Sequence, residues 1–341
     1  MKQKKVTFAD IAAYTGFSKT TISRYFNNPD SLTLENQEKI AHALDVLGYQ
    51  ENKLAKVLAN GKSEFVGIII PNLYLHYYSE MLNQLLSTYE KYNYKFLVFI
   101  GNNKKEIEEK YIHELMAYKI EGLIVLSNTI SSEELASYKL PVVTIERECD
   151  HVCSVSTDNY LGGVQATSLL IRNKCDVILH INSIFPDTLP TYGRIRGFED
   201  ICNEHHVVHE LIQRNLGNTY QETLTQLKNI FNEIEEKYPS QKKGVFLAND
   251  TYASMFLNLI FQKYGKLPKD YQIVGFDDSP IASEAILPIT TVGQQIEKIA
   301  QTAMELLVLQ MNEMKKRKPT PLKEPVHKQI TPVLIRRDTT K

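Results

Sequence analysis

"GFSKTTISRYFNN", residues 16–28, is the stretch on which the reading of the whole chain turns. Gly16 can take φ > 0 and stop a preceding helix, and Ser18 can accept a free backbone N–H and start the next. Ile22 and Phe26, four residues apart, give that helix an inner face, while Lys19, Thr20, Ser23 and Arg24 are left on the outer one. Taken alone, this is an amphipathic helix with a solvated basic face. Its neighbours add to it. Upstream, "TFADIAAY" opens with a Thr7/Asp10 capping box and buries Ile11 against small alanines. Downstream, after the "NNPDS" turn, "LENQEKIAHALDVLGY" sets Ile40, Leu44 and Leu47 on one stripe and stops at Gly48. Helix, short glycine turn, helix and packing helix make a helix-turn-helix arrangement. Residues 1–28 also carry Lys2, Lys4, Lys5, Lys19 and Arg24 against Asp10 alone, in a chain whose net charge is −1. A basic head on a near-neutral body points to a polyanion partner for the head only.

At 341 residues, with 43% apolar and 23% charged residues, the chain is long enough for two or three domains and has an ordinary globular composition. Residues 52–60, "NKLAKVLAN", are too short for a stable helix unaided, and their apolar side has no evident core. From Phe65 the period changes. "FVGIII", "KFLVFI", "GLIVL" and "PVVTIE", then "DVILHI", "VHELIQ", "GVFLAN" and "YQIVGF", are apolar runs separated by helical patterns, as buried parallel strands are. Two such α/β halves predict two doubly wound lobes with a cleft between them. "KKRKPTPLKEP" (315–325) breaks the last helix and reads as a crossing strand or linker.

No apolar run approaches a membrane span and no hydrophobic leader follows the basic N-terminus, so the cytoplasm is the expected location. Cysteines 149, 153, 175 and 202 fit no zinc pattern; Cys149-x₃-Cys153 lacks a partner pair, and reduced structural thiols are expected. GxGxxG, GxSxG and HExxH are absent, which speaks against an enzyme and calls for no cofactor. "NGKSEFVG" (60–67) imitates the end of a phosphate loop but has Lys56 where the upstream glycine is needed. His205, His206 and His209 fit a solvated helix end better than a metal site.

These features together resemble the LacI/GalR family of bacterial transcriptional regulators over essentially the full length. "VTFADIAAYTGFSKTTISRYFN" (6–27) follows the family's head almost position by position. "PVVTIER" (141–147), "TDNYLGG" (157–163), "RIRGF" (194–198), "LAND" (247–250), "VGFDD" (274–278) and "PITTVGQ" (288–294) follow in the expected order. The resemblance implies a helix-turn-helix domain over 1–50 and a hinge helix over 51–62. It further implies a two-lobed core like that of periplasmic binding proteins, with one lobe from 63–156 and 290–322 and the other from 157–289 and 323–341. A homodimer on a pseudo-palindromic DNA operator is the default, since the extra C-terminal helix that tetramerises some members is not seen.

By the same resemblance, Lys19, Thr20 and Arg24 would read bases in the major groove. Thr7, Ser18, Ser23, Asn27 and Thr33 would contact phosphates or cap helices. In the hinge, Leu58 would be the wedge in the minor groove, with Asn52 and Ala55 lining the same contact. Glu51 stands where the family usually has proline. The effector, a sugar or sugar derivative, would meet Leu75, Tyr77, Tyr78, Glu146, Asp158, Arg194, Asn249 and Asp277. Arg194 and Asp277 would bond opposite sides of a polyol, and the tyrosine faces would stack on a sugar ring. Gln84 and Lys174-Cys175 depart from the family's usual residues and bear on how cleft and head communicate.

Overall fold

The computed structural model describes residues 6–50, 63–147, 150–318 and 324–340. The chain divides into two compact units, with the boundary after residue 62. The hinge expected over 51–62, with Asn52, Ala55 and Leu58, lies outside the described residues, as does Cys149.

In the first unit, α1 (Phe8–Thr15), α2 (Lys19–Asn27) and α3 (Leu34–Leu47) pack around Ile11, Ile22, Ile40 and Ala43, all fully buried. Phe8 stacks on Phe26 at 5.3 Å and the ring of Tyr49 closes over both. So small a core leaves much to the helix ends. Gly16 (φ +74°) and Gly48 (φ +61°) close α1 and α3 in the left-handed conformation that glycine adopts without strain. Thr7 donates its backbone N–H to the Asp10 carboxylate at 2.8 Å. The Ser18 hydroxyl accepts from Thr21 N at 3.1 Å, a cap whose loss costs about 1 kcal/mol.

In chain order the strands of the second unit are β1 (Phe65–Ile70), β2 (Lys95–Ile100), β3 (Gly122–Val125), β4 (Val142–Ile145), β5 (Cys153–Thr157), β6 (Val177–Ser183), β7 (His209–Arg214), β8 (Lys243–Leu247), β9 (Tyr271–Asp277), β10 (Thr290–Gly293), β11 (His327–Ile330) and β12 (Val333–Ile335). They form two sheets, β11-β5-β4-β3-β1-β2 and β12-β10-β9-β8-β6-β7. Every pairing is parallel except β10 with β12. The apolar runs are these strands, because a parallel strand covered on both faces has no polar side. At the edges the rule relaxes: β2 and β7 are only half-buried along their length.

Two lobe boundaries differ from the expectation. β10 belongs to the second sheet, so the chain returns to the first lobe after Gly293 and not at 290. β11 pairs with β5 in the first sheet, so residues 327–330 belong to the first lobe and the last crossing falls at Thr331–Pro332. Residues 319–323 of the expected crossing strand or linker lie outside the described residues; the strand beyond them, β11, belongs to the same lobe as the helix before them. The helix Ile296–Met314 packs its buried face, with Ile299, Ala303 and Leu307, against the first lobe.

The helices Asn159–Arg172 and Gly193–Glu204 lie against each other in the second lobe, and two glycines set how close they come. A Cβ on Gly197 would collide with the backbone of Tyr160 and Val164, and one on Gly163 with the Arg194 carbonyl. This contact holds Arg194 beside Asn159. We expect Gly197→Ala to lower unfolding stability by about 3 kcal/mol or more, since backbone cannot yield as a side chain can. Chemical denaturation of the two proteins side by side checks this; an unchanged midpoint would mean the helices are not so close.

Candidate functional site

In the head, Lys19, Thr20 and Arg24 are exposed on α2, and their side chains make no hydrogen bond or ion pair to other described residues. Ile22, on the opposite face, is fully buried, so helical geometry holds the three side chains outward. Thr7, Ser18 and Thr33 are each the N-cap of a helix. Asn27 donates to Ser23 at its carbonyl (3.0 Å) and hydroxyl (3.2 Å), which fixes both on the α2 surface. The head thus offers two exposed cations and a hydroxyl on a rigid rod, the shape and charge a major groove accepts.

In the second unit a cavity of about 440 Å³ lies between the lobes. Its walls come from the carboxyl ends of the strands in both sheets. Asn72 follows β1, Glu146 follows β4, Asn182 and Ser183 end β6, Asn249 follows β8, Asp277 ends β9 and Gln294 follows β10. Both sheets have a strand order that reverses beside their first strand, and open parallel sheets bind ligands outside such carboxyl ends. To one side His76, opening the helix His76–Ser87 of the first lobe, donates its backbone N–H to Thr251 Oγ1 of the second at 3.0 Å.

A ring of polar contacts runs through two of the segments that cross between the lobes, at the cavity floor. Glu146 accepts from Thr157 N (2.6 Å) and from Asn159 Nδ2 (2.9 Å). Asn159 Oδ1 accepts from Arg194 Nε at 2.7 Å. On the other side, Thr157 Oγ1 donates to Gln294 Oε1 (2.6 Å), and Gln294 Nε2 donates to Asp277 Oδ1 (2.6 Å). The ring would close between Arg194 Nη1 and Asp277 Oδ1, but these stand 4.0 Å apart, beyond hydrogen-bond reach. Arg194 is otherwise held by the Ala248 carbonyl (2.5 Å) and by the face of Phe276, 3.7 Å from its guanidinium carbon. Glu146 (φ +54°) and Asp277 (φ +113°) both have backbone conformations that side-chain-bearing residues rarely adopt. Such strain collects where the surrounding structure fixes a functional group.

Burial pushes the Asp277 carboxyl up to about 7; the charge of Glu146 adds to this, while Arg194 and the Gln294 hydrogen bond oppose it. Burial and the nearby Asp277 raise Asp250 as well. Asp250 is tied to Thr291 Oγ1 (2.5 Å) and Ser279 N (2.9 Å), so it braces β9 and β10. Tyr77 and Tyr78 meet edge to face, 5.4 Å between ring centres, and burial raises both phenols.

Of the residues expected at the ligand, Leu75, Tyr77, Tyr78, Glu146, Arg194, Asn249 and Asp277 line this one cavity. Asp158 does not. Its Oδ1 accepts from Leu161 N at 3.0 Å and caps the helix Asn159–Arg172, an ordinary use for an aspartate at a strand-to-helix turn. His205 and His206 close the helix Gly193–Glu204, and His209 begins β7 with its ring edge-on to Phe198. Cys153, Cys175 and Cys202 are buried free thiols. Several wall residues were not expected: Asn72, Asn182 and Asn215, Phe185, Tyr252 and Gln294. The amides leave a trace in the sequence, an asparagine within three residues of the carboxyl end of β1, β2, β3, β6, β7 and β8.

Residues 7–52 match the family described as "Bacterial regulatory proteins, lacI family". Residues 168–340, just over half the chain, match the periplasmic binding protein-like domain. Among curated relatives, the sucrose operon repressor of Streptococcus mutans is 26% identical over 303 residues, 88% of this chain and 91% of the relative. The ribose operon repressor of Halalkalibacterium halodurans is 24% identical over 336 residues, 98% of this chain and 97% of the relative. In fold the chain is similar to the Lac repressor dimer bound to operator and the anti-inducer ONPF, with TM-score 0.81, 21% identity and 99% of each chain covered. A regulator from Alkaliphilus metalliredigens complexed with D-xylulofuranose gives TM-score 0.69 at 26% identity, over 82% of this chain and 100% of that one.

An aspartate whose folded pKa lies above its unfolded value takes up a proton on folding. Its contribution to stability is therefore full below about pH 4 and is lost as pH rises through about 7. Asp277→Asn, which does not titrate, should gain stability relative to wild type across that window and then level off. Melting temperatures of both proteins from pH 4 to 8 check this; parallel curves would remove the raised Asp277.

Proposed function

The chain belongs to the lacI family of bacterial regulatory proteins, its larger part built as a periplasmic-binding-protein-like domain, and from that premise we propose a repressor of carbohydrate-utilisation genes controlled by a small molecule in the inter-lobe cavity. The observation that carries this reading is the single open link in the polar ring, Arg194 to Asp277. A ligand hydroxyl in that gap accepts from the guanidinium and donates to the carboxylate, which is what adjacent hydroxyls of a sugar do well. The relatives named above repress sucrose and ribose operons, which favours the same ligand class.

The chain acts as a DNA-binding regulator and not as an enzyme in this reading, and works in the cytoplasm. Among the described residues no helix is long and apolar enough to cross a membrane. Two copies pair, and their heads read the halves of a pseudo-palindromic operator. Lys19, Thr20 and Arg24 touch base edges, Thr7, Ser18, Ser23, Asn27 and Thr33 set register on the phosphates, and Asn52, Ala55 and Leu58 occupy the minor groove between the half-sites. The domains follow the corrected strand membership: head, hinge, and two lobes that exchange chain at 157–159, 293–296 and 331–332. Because Thr157, Asn159 and Gln294 of the ring sit on these crossing segments, a ligand that closes the ring favours one lobe arrangement over another. Only such differential affinity can shift the DNA-binding population.

Two outcomes follow. Arg24→Ala should reduce preference for an operator selected from random duplexes by about 5- to 150-fold over unrelated DNA, with the fold intact. Competition binding measures this, and unchanged preference would remove Arg24 from base reading. Asp277→Ala should bind that operator normally but not respond to a sugar that shifts the wild-type complex in a screen of mono- and disaccharides. A normal response would place the ligand elsewhere.

A further inference from the structure

The cavity's charges and the orientation of its amides narrow the ligand beyond "carbohydrate", on the footing of the reading above. Glu146 and Asp277 bring two carboxyl groups, and Arg194 is the one Lys, Arg or His among the described residues lining the cavity. That guanidinium is already engaged by Asn159, Ala248 and Phe276. Nothing here supplies the surplus positive charge that sites for phosphate or carboxylate groups use.

Four neutral amides in the wall point one way. Asn72 Oδ1 accepts from Leu75 N (3.2 Å), Asn182 Oδ1 from Ser183 N (2.8 Å), Asn215 Oδ1 from Gly217 N (3.0 Å) and Asn249 Oδ1 from Tyr252 N (2.8 Å). A backbone N–H can only donate, so the accepting atom in each is the carbonyl oxygen, and the NH₂ is what remains for a ligand. Asn182 is fixed further. Nδ1 of the buried His180 lies 3.0 Å from the Phe246 carbonyl, and its Nε2 lies 3.3 Å from Asn182 Nδ2. Burial keeps this imidazole neutral, so Nδ1 carries the proton and Nε2 accepts one amide hydrogen, leaving the other free. The Tyr77 hydroxyl is buried at the cavity with no hydrogen-bond partner among the described residues. Phe185, Tyr74 and Tyr252 add apolar faces.

We propose that the cavity is built for an uncharged polyhydroxylated ligand, a neutral sugar or glycoside, and turns away the phosphorylated and carboxylated forms of the same molecule. Its hydroxyls donate to Glu146 and Asp277, and its oxygens accept from fixed, uncharged amide donors on both lobes. A phosphate or acid group would add negative charge beside two carboxyl groups and one committed cation.

Calorimetric titration of the full chain with matched sets tests this: a neutral hexose, pentose or disaccharide, its phosphate monoester and its aldonic acid. The expected result is binding of at least one neutral sugar, with its charged forms weaker by about 100-fold or more. A phosphate or acid that binds as tightly as its neutral parent would overturn the proposal and leave the carbohydrate reading standing. Binding of a purine, with none of the sugars in any charge state, would overturn that reading as well. Asn249→Asp separates the amide argument from the charge argument. Aspartate caps the helix Asp250–Tyr264 equally well, so melting temperature should hold while neutral-sugar affinity falls at least about tenfold. Unchanged affinity would remove the amides from recognition.

Discussion

Everything at the centre of the larger unit rests on how one buried cation, Arg194, is kept. A guanidinium taken out of water loses several kcal/mol of hydration unless hydrogen bonds and a counter-charge replace it. Asn159, the Ala248 carbonyl and the Phe276 face do most of this, and they come from three different elements. Asn159 in turn reaches Glu146 on the first lobe, so the cation's needs are met across both lobes. Gly163 and Gly197 have no side chains because the helix bearing Arg194 must come this close to the helix bearing Asn159. The packing of two helices and the geometry of the cavity floor are one problem with one solution.

The topology supplies the rest. Each sheet has the same reversal of strand order, and in each the carboxyl ends of the strands face the cleft. Loops at these ends are free to carry polar residues because the strands beneath them are buried and apolar. The head works by the same division: a buried Ile22 on one side of α2 fixes what Lys19, Thr20 and Arg24 present on the other.

The elements that read clearly in the sequence were those with a strong period. β1 and β2 coincide with their apolar runs, and the three head helices with their stripes and caps. β5, β11 and β12 escaped because "CSVST" and "HKQI" are short and partly polar and "VLI" is only three residues long, and two of the three lie at sheet edges where one side faces water. That loss misplaced the lobe boundaries, since neither "TTVG" of β10 nor "HKQI" of β11 carries a local pattern that says which sheet accepts it. Most of the cavity's charged residues lay in recognisable motifs. Asp158 lay in one too, but a carboxylate at a strand-to-helix turn reads the same whether it meets a ligand or a backbone N–H. The wall asparagines were hidden for a related reason: in a loop, asparagine is the default turn residue, and where its NH₂ points depends on contacts no local pattern encodes.

The three lobe crossings have a consequence for how this chain is made. The first lobe needs the helix Ile296–Met314 and β11 to cover its sheet. The second needs β12 and Thr339, whose hydroxyl and carbonyl bond the Ile273 and Thr290 backbones. Neither lobe can be completed until the segments between 296 and 340 have emerged from the ribosome, whereas the head has all its parts from the start. A nascent chain therefore carries a helix-turn-helix with all its parts ahead of two sheets that both wait for segments from 296–340.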